Sequence, residues 1–438
     1  MTSGNLQTIA IIRLWVPLAL TWAMMAAEGV ILQSVLSRLQ DAATNLAAFG
    51  VAISIAFIVE APVIMLLSAS TAYVLGSRSY RIVRALALAL SFGTSCMMGI
   101  AVLPPVYAIL SKTILALPPS ITDHVYWSLV ALIPWPGAIG IRRFYQGVII
   151  KRHMNHLVAL GTTIRLLSII AGSILALRFV RTSYTAPYAC GVLAFAVTAE
   201  MIATWWMARY AVRSIQHTNS PRESMLTFRR LVALYIPLAM TSLITMGLGP
   251  VFAAFMTRFP NAVASLAVFP IIDNTVFQFR SPLFAYQEVA ISLYSRHGLH
   301  EKKVAKAAYG IATIATGLLL VIATTPLSDI VFGVFPYHLD TSLHPMAAYG
   351  MILLLPLPIV SAIYSVERSV LIVSHHTNHV TYSTLLEAGV TIGVMSLAAL
   401  LRINISGVYL ACVAMTAGKI TAAVYLLFVG RYYRSARD

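Results

Sequence analysis

Six ionisable side chains lie inside long apolar runs: Arg142, Arg143, Arg165 and Glu200 in the first half of the chain, Arg368 and Glu387 in the second. A charge at the centre of a membrane helix costs about 2.5–3.5 kcal/mol on insertion scales, so such groups face a cavity or a partner. At about 1.5 Å per helical residue, Arg142 and Arg143 sit about 13 Å in from the basic pair Lys151 and Arg152. Arg165 lies equally far beyond His156, and Glu200 equally far before Arg209. Arg368 and Glu387 lie about 10–12 Å in, beside the corresponding loop of the second half. Two chemistries fit. A ring of guanidinium groups suits bidentate contact with the carboxylate or phosphate of a solute. Alternatively the charges neutralise one another, Arg165 with Glu200 and Arg368 with Glu387, as ties between helices. Arg142, Arg143 and Arg165 face only Glu200 at this level of the first half, which leaves arginine over for a solute.

Carboxylates closer to the midplane suggest ion coupling. Glu28 lies ten residues before Arg38, about 15 Å in, and is followed by Gly29; Glu60 stands beside the helix-breaking Pro62. A carboxylate so placed is a candidate carrier of a proton or cation, because desolvation brings its protonation into a useful range. Asp273 and Glu288 are further candidates of the same kind. His375, His376 and His379, with His153 and His156 in the equivalent loop, have spacing that could hold a metal. No acid or cysteine completes a ligand set there, and they read as neutral stand-ins for loop Lys/Arg. Cys96, Cys190 and Cys412 sit in separate apolar runs, without disulfide or zinc spacing. With no Walker loop and no dinucleotide fingerprint, no cofactor and no enzymatic activity are expected.

The elements that position these groups follow from composition. Of 438 residues 59% are hydrophobic and 10% charged, against about 25% charged in soluble domains. At about 20 apolar residues per span, the chain supplies a dozen transmembrane helices and has no room for a soluble catalytic domain. The apolar segments run approximately 14–37, 44–75, 84–110, 126–150, 157–178, 184–208, 231–257, 262–295, 307–333, 346–373, 380–401 and 404–430. The short polar N-terminus has no cleavage signature, so the first segment reads as a retained helix.

A formal net charge of +16 would suggest nucleic acid if it were clustered, but its placement is topological. Alternate connections carry Arg13; Arg78, Arg81 and Arg84; Lys151 and Arg152; Arg209, Arg213, Arg222, Arg229 and Arg230; Arg296, Lys302, Lys303 and Lys306; and Arg431, Arg434 and Arg437. The opposite side holds Arg38, Lys112, Arg178, Arg181, Arg258 and Arg402. The positive-inside rule then places both termini in the cytoplasm of a multi-pass protein of the plasma (inner) membrane, with no nucleic-acid partner.

The chain is also internally repeated. Val16-Pro17-Leu18-Ala19-Leu20-Thr21 returns as Ile236-Pro237-Leu238-Ala239-Met240-Thr241, and the same 220-residue offset maps Gly29 onto Gly249, Arg38 onto Arg258 and Pro62 onto Pro282. It also maps Glu60 onto Arg280, which could pair across the halves. Pro134 and Pro136 answer to Pro356 and Pro358. The expected organisation is two six-helix bundles of one orientation, residues 1–214 and 230–438, joined by a cytoplasmic connector at 215–229. Pro62, Pro282, Pro134, Pro136, Pro356 and Pro358 mark spans able to bend or unwind.

The block VPLALTW…EG…SR…LAAFGVAISI…EAPV from Val16 to Val63, its second copy, and RRFYQGVIIKRHMNH from Arg142 to His156 resemble the multidrug/oligosaccharidyl-lipid/polysaccharide (MOP) flippase superfamily, which contains the MATE exporters. Within it the sequence looks most like the progressive ankylosis (ANK) transporters, from Pro17 to about Phe428. The resemblance implies an all-α polytopic fold of about twelve helices in two lobes around a V-shaped cavity. It further implies alternating access and export of small anions such as citrate, pyrophosphate or nucleotides. A major-facilitator fold, which also has six-plus-six parallel halves, is the alternative. The expected function is a monomeric secondary exporter of a small anionic solute, embedded in membrane lipid and possessing a coupling ion, H⁺ or Na⁺. A lipid-linked saccharide flippase and a proton- or sodium-coupled multidrug antiporter are the competing readings.

Overall fold

The computed structural model describes residues 8–152, 154–216, 227–297, 302–374, 376 and 378–435, so His153, His375 and residues 217–226 of the connector lie outside the described residues. Within these, regular structure is helical, as an apolar chain requires in a solvent that cannot satisfy backbone N–H and C=O groups. In chain order the helices are α1 (Thr8–Leu36), α2 (Ala42–Ile64), α3 (Leu66–Tyr73), α4 (Ser77–Ala101), α5 (Pro104–Ala108), α6 (Pro119–Ala131), α7 (Trp135–Lys151), α8 (Asn155–Phe179) and α9 (Thr185–Gln216). They continue with α10 (Phe228–Met256), α11 (Ala262–His297), α12 (Lys302–Thr324), α13 (Leu327–Gly333), α14 (His344–Leu353), α15 (Leu357–Val373), α16 (Asn378–Leu400) and α17 (Gly407–Ser435). Among the described residues, 12 candidate membrane spans are long and apolar enough to cross a bilayer. They coincide with the twelve apolar segments to within several residues at most ends.

Two segments are shorter than their hydropathy suggests. The third span stops at Ala101, and the apolar sequence continues as α5, which opens on Pro104 and Pro105, and a π turn at Ile109–Ile114. The ninth stops at Thr324, before Pro326 and the short α13. Hydropathy is blind to these breaks; the prolines, lacking an N–H, impose them.

The chain packs as two compact units, Arg38–Thr257 in one and Met1–Ser37 with Arg258–Asp438 in the other. The packing units therefore differ from the six-helix halves expected at 1–214 and 230–438: α1 packs on α11 and α10 packs on α2. The reason is close helix approach at glycine. A Cβ at Gly29 of α1 would lie 2.7 Å from Asn274 Nδ2 of α11, and one at Gly249 of α10 would lie 3.3 Å from Ser54 Cβ of α2. Residues 29 and 249, and 54 and 274, are related by the repeat offset, so the same contact is made once in each unit. The repeat also keeps its turns. Asp41 and Asn261, which precede the second and eighth spans, are both left-handed at φ 53° and 56°, a conformation these short polar residues tolerate.

Within the Arg38–Thr257 unit, α7 lies in a groove of small residues. Gly137 and Gly140 abut Ser95 and Ser91 of α4, and Gly147 abuts Ser70 and Leu67 of α3, the small-residue contact that lets membrane helices pack without a hydrophobic driving force. Buried Asn45 fixes the start of α9, accepting from the backbone N–H of Thr185 and Ala186 at 3.0 and 2.8 Å and donating to Ser183 O at 2.7 Å. It satisfies donors that a helix start leaves orphaned.

Candidate functional site

In the Arg38–Thr257 unit the intramembrane charges converge on Glu200, whose side chain is fully buried on α9. Arg142 Nη1 on α7 donates to Glu200 Oε2 at 2.6 Å, and Gln146 Nε2, one turn later, donates to Oε1 at 3.2 Å. Arg165 Nε on α8 lies 3.4 Å from the same Oε2. One carboxylate thus ties three helices, with two guanidinium groups sharing it. The tie between Arg165 and Glu200 is formed, and Arg142 joins it.

Arg143, next on α7, is half-buried and has no ion pair in its unit among the described residues. Its charge is felt by Glu60 and Glu200 through space. Glu60, 3% exposed on α2, has no hydrogen-bond partner for Oε2 and no ion pair in its unit. Its electrostatic neighbours are Arg143, Arg142 and Arg165. Three arginines therefore share two carboxylates, only one of which is directly engaged.

The other unit builds a related cluster with the charges exchanged. Glu387 of α16 accepts from Lys419 Nζ of α17 at 2.6 Å and from the Tyr364 hydroxyl of α15 at 2.8 Å. Of the two readings of Arg368 and Glu387, the direct tie is not the contact formed. Lys419 reaches the carboxylate, while Arg368 lies with its guanidinium 4.8 Å from the Tyr364 ring centroid and makes only a 3.5 Å contact to Thr384 Oγ1. Tyr364 and Arg142 are both the eighth residue of a 17-residue helix, and Arg368 and Gln146 both the twelfth. The geometry is thus conserved between the halves while the residue types are not. Lys419 stands alone in an apolar stretch, and that isolation was the available signal for it. Nearby, Arg434 Nη2 donates to both oxygens of buried Glu367 at 2.7 Å, pinning the end of α17 to α15.

The remaining candidates are dispersed. Glu28 is half-buried on α1, and Asp273 is half-buried on α11. Glu288 is exposed. Arg280 is buried, its guanidinium 5.3 Å from the Phe284 ring centroid and 5.9 Å from that of Phe277, with no ion pair in its unit among the described residues. Among the described residues no group of three His, Cys, Asp or Glu could hold a metal. His379 Nδ1 instead meets the Tyr425 hydroxyl at 2.7 Å, and His376 stacks on Tyr433.

The prolines act unequally. The second span is broken at Met65, three residues after Pro62. Pro282 lies inside an uninterrupted α11. Pro134 and Pro356 cap α7 and α15 after a turn that divides the fourth and tenth spans, and Pro136 and Pro358 occupy the second helical position. Pro62 and Pro282 each have a side-chain donor on their carbonyl. Trp15 Nε1 of α1 donates to Pro282 O at 2.7 Å, and the Tyr235 hydroxyl of α10 donates to Pro62 O at 2.5 Å.

The described residues thus define a twelve-span, all-α membrane protein with a buried charge cluster in each unit. No family model and no curated protein matches the sequence. Solved structures match over nearly the whole chain. An inward-facing multidrug resistance MATE family transporter of the MOP superfamily is similar with a TM-score of 0.71 at 12% identity, covering 95% of each chain. The lipid II flippase MurJ in an inward closed conformation gives 0.67 at 13% identity, over 94% of this chain and 86% of that one. A MOP superfamily transporter from Pyrococcus furiosus, described as having a binding pocket of reverse polarity, gives 0.63 at 12% identity, over 98% and 96%. The fold is the one these solved structures share.

Proposed function

We propose that the chain is a secondary transporter that exports a small anionic solute, a polycarboxylate, pyrophosphate or nucleotide-like molecule, by alternating access. The observation that carries this reading is Arg143, a cation within a span whose neighbours Arg142 and Arg165 already share Glu200. A guanidinium held at that depth without a carboxylate of its own is suited to a solute's carboxylate or phosphate. Arg368, displaced from Glu387 by Lys419, has the corresponding role in the other unit. The resemblance of the sequence to ANK transporters supports the same solute class. Glu28 and Glu60 are the coupling candidates, with H⁺ or Na⁺ as the ion. The basic connections face the cytoplasm, with both termini, in the plasma (inner) membrane, and the protein works as a monomer surrounded by lipid.

The test is uptake of radiolabelled citrate, pyrophosphate and ATP by proteoliposomes, with and without an imposed pH or Na⁺ gradient. R143Q is expected to lower anion uptake at least tenfold at unchanged membrane yield. Saturable uptake of none of the three would overturn the reading. The likeness to a lipid II flippase favours one second reading, movement of a lipid-linked saccharide. Scrambling of a fluorescent polyprenyl-pyrophosphate analogue in vesicles that take up no anion would establish it, and gradient-driven efflux of an organic cation would favour the multidrug antiporter.

A further inference from the structure

The sixth and twelfth spans end in the same pattern. Trp206-Met207-Ala208-Arg209-Tyr210 on α9 is answered 222 residues later by Phe428-Val429-Gly430-Arg431-Tyr432 on α17. In each, the aromatic pair and the arginine are exposed, while Ala208 and Gly430 at the centre are buried. These residues finish one continuous exposed stripe. On α9 it runs through Phe195, Ile202, Trp206 and Tyr210, and on α17 through Val413, Ile420, Val424, Phe428 and Tyr432.

An exposed apolar stripe on a membrane-spanning helix faces acyl chains. Towards its C-terminal end each stripe passes from an aliphatic residue to two aromatic ones, Ile202 to Trp206 and Tyr210 on α9 and Val424 to Phe428 and Tyr432 on α17, which marks the headgroup level, where amphipathic rings settle. Arg209 lies about 10 Å along the helix beyond Ile202, which puts its charge at phosphate depth. Its guanidinium is held 4.3 Å from the Trp205 ring centroid, so the planar fork is oriented before anything binds. Neither Arg209 nor Arg431 has a carboxylate ion pair among the described residues, in contrast to Arg434, which is spent on Glu367. Arg213 extends the first stripe by one turn and is also exposed. The second has no matching exposed arginine, since residue 435 is serine.

We infer that the ends of α9 and α17 each bind the phosphate of an anionic phospholipid, through Arg209 with Arg213 in one unit and Arg431 in the other. The occupant is a lipid because the arginines terminate acyl-facing stripes, and it is anionic because the charge they present is unbalanced. The site on α9, with two arginines, holds its lipid more tightly than the site on α17. This inference does not depend on what the protein transports.

Native mass spectrometry of the detergent-purified full chain tests it. Phosphatidylglycerol and phosphatidylcholine of identical acyl chains are added in turn. Two phosphatidylglycerol molecules are expected to remain bound under activation that strips phosphatidylcholine, with at least a tenfold difference in retention. R209Q/R213Q should remove the tighter one, R431Q the weaker, and the triple variant both. Equal retention of the two lipids by the unaltered chain would overturn the inference without recourse to any variant. Unchanged phosphatidylglycerol binding in the triple variant would overturn it as well. Displacement of the lipid by millimolar inorganic phosphate would reassign the arginines to a free anion.

Discussion

Trp15 donates its indole N–H to the carbonyl of Pro282, and 220 residues later Tyr235 donates its hydroxyl to the carbonyl of Pro62. The aromatic donor sits one residue before the Val16-Pro17 or Ile236-Pro237 step, and the acceptor is the proline of a second span belonging to the other half of the repeat. With the contacts of Gly29 on Asn274 and Gly249 on Ser54, each unit is built by one exchanged helix held at two equivalent points. Y235F removes only the hydroxyl donor, whereas W15F removes the indole N–H together with part of the ring. Y235F should cost about 1 kcal/mol, the net worth of a buried hydrogen bond, and W15F more, because packing is lost with the bond. Because the pairs share no partner, the double variant should lose the sum. Thermal unfolding of the purified protein reads this, and a double variant no worse than either single one would show that the two bonds are not independent.

Glu200 and Glu60 should respond oppositely to amidation. E200Q leaves Arg142 and Arg165 without their shared anion in a buried site, a loss of about 3–5 kcal/mol, and membrane yield should fall severely. Glu60 makes no hydrogen bond in its unit through Oε2 and no ion pair, so E60Q should accumulate normally and, on the coupling role proposed above, change only the gradient dependence of flux. Quantitative immunoblots and vesicle flux at two imposed pH gradients separate the cases.

The pair of Lys419 and Glu387, at 2.6 Å, should show coupling. K419M strands a carboxylate whose remaining partner is Tyr364, and E387Q strands an ammonium group. E387Q/K419M removes both charges and should recover part of either loss, with an interaction energy of about 1–3 kcal/mol in a double-mutant cycle. Strict additivity would mean that the contact contributes no stability.

Glycines on the same fold should divide by their surroundings. G147A drives a methyl into Ser70 and the Leu67 carbonyl between α3 and α7, where backbone cannot yield; overpacking of this kind costs about 1–3 kcal/mol. Gly93 of α4 has nothing within 4 Å of an added Cβ, so G93A should be neutral or stabilise the helix by up to about 1 kcal/mol. Melting temperatures of the two variants check the contrast.

The spans were legible because hydropathy and loop charge are local properties; α8 begins within two residues of its apolar segment and α15 ends on its last residue. What local reading missed depends on contacts. The α5 and α13 helices continue the apolar runs of the spans they follow and are set off from them by prolines. Glu387 had Arg368 in view at similar depth, but depth is one coordinate, and azimuth around the helix gave the carboxylate to Lys419 instead. The exchange of α1 and α10 between units is written in Gly29, Gly249, Trp15 and Tyr235, yet a repeat shows which residues are equivalent and not which of them touch.

The two clusters have opposite wiring. In one the acid is on α9 and a cation on α8; in the other the acid is on α16, the repeat counterpart of α8, and the cation is on α17. The halves are therefore no longer spare parts for one another. A chimera carrying the α8 sequence in place of α16 would bring an arginine and no acid to the helix packed on α17, leaving Lys419 without its partner, and the reciprocal exchange would bring an acid in place of a cation to the helix packed on α9. Each half now specifies its own complement, so a functional hybrid would have to transplant the fifth and sixth helices of a repeat together.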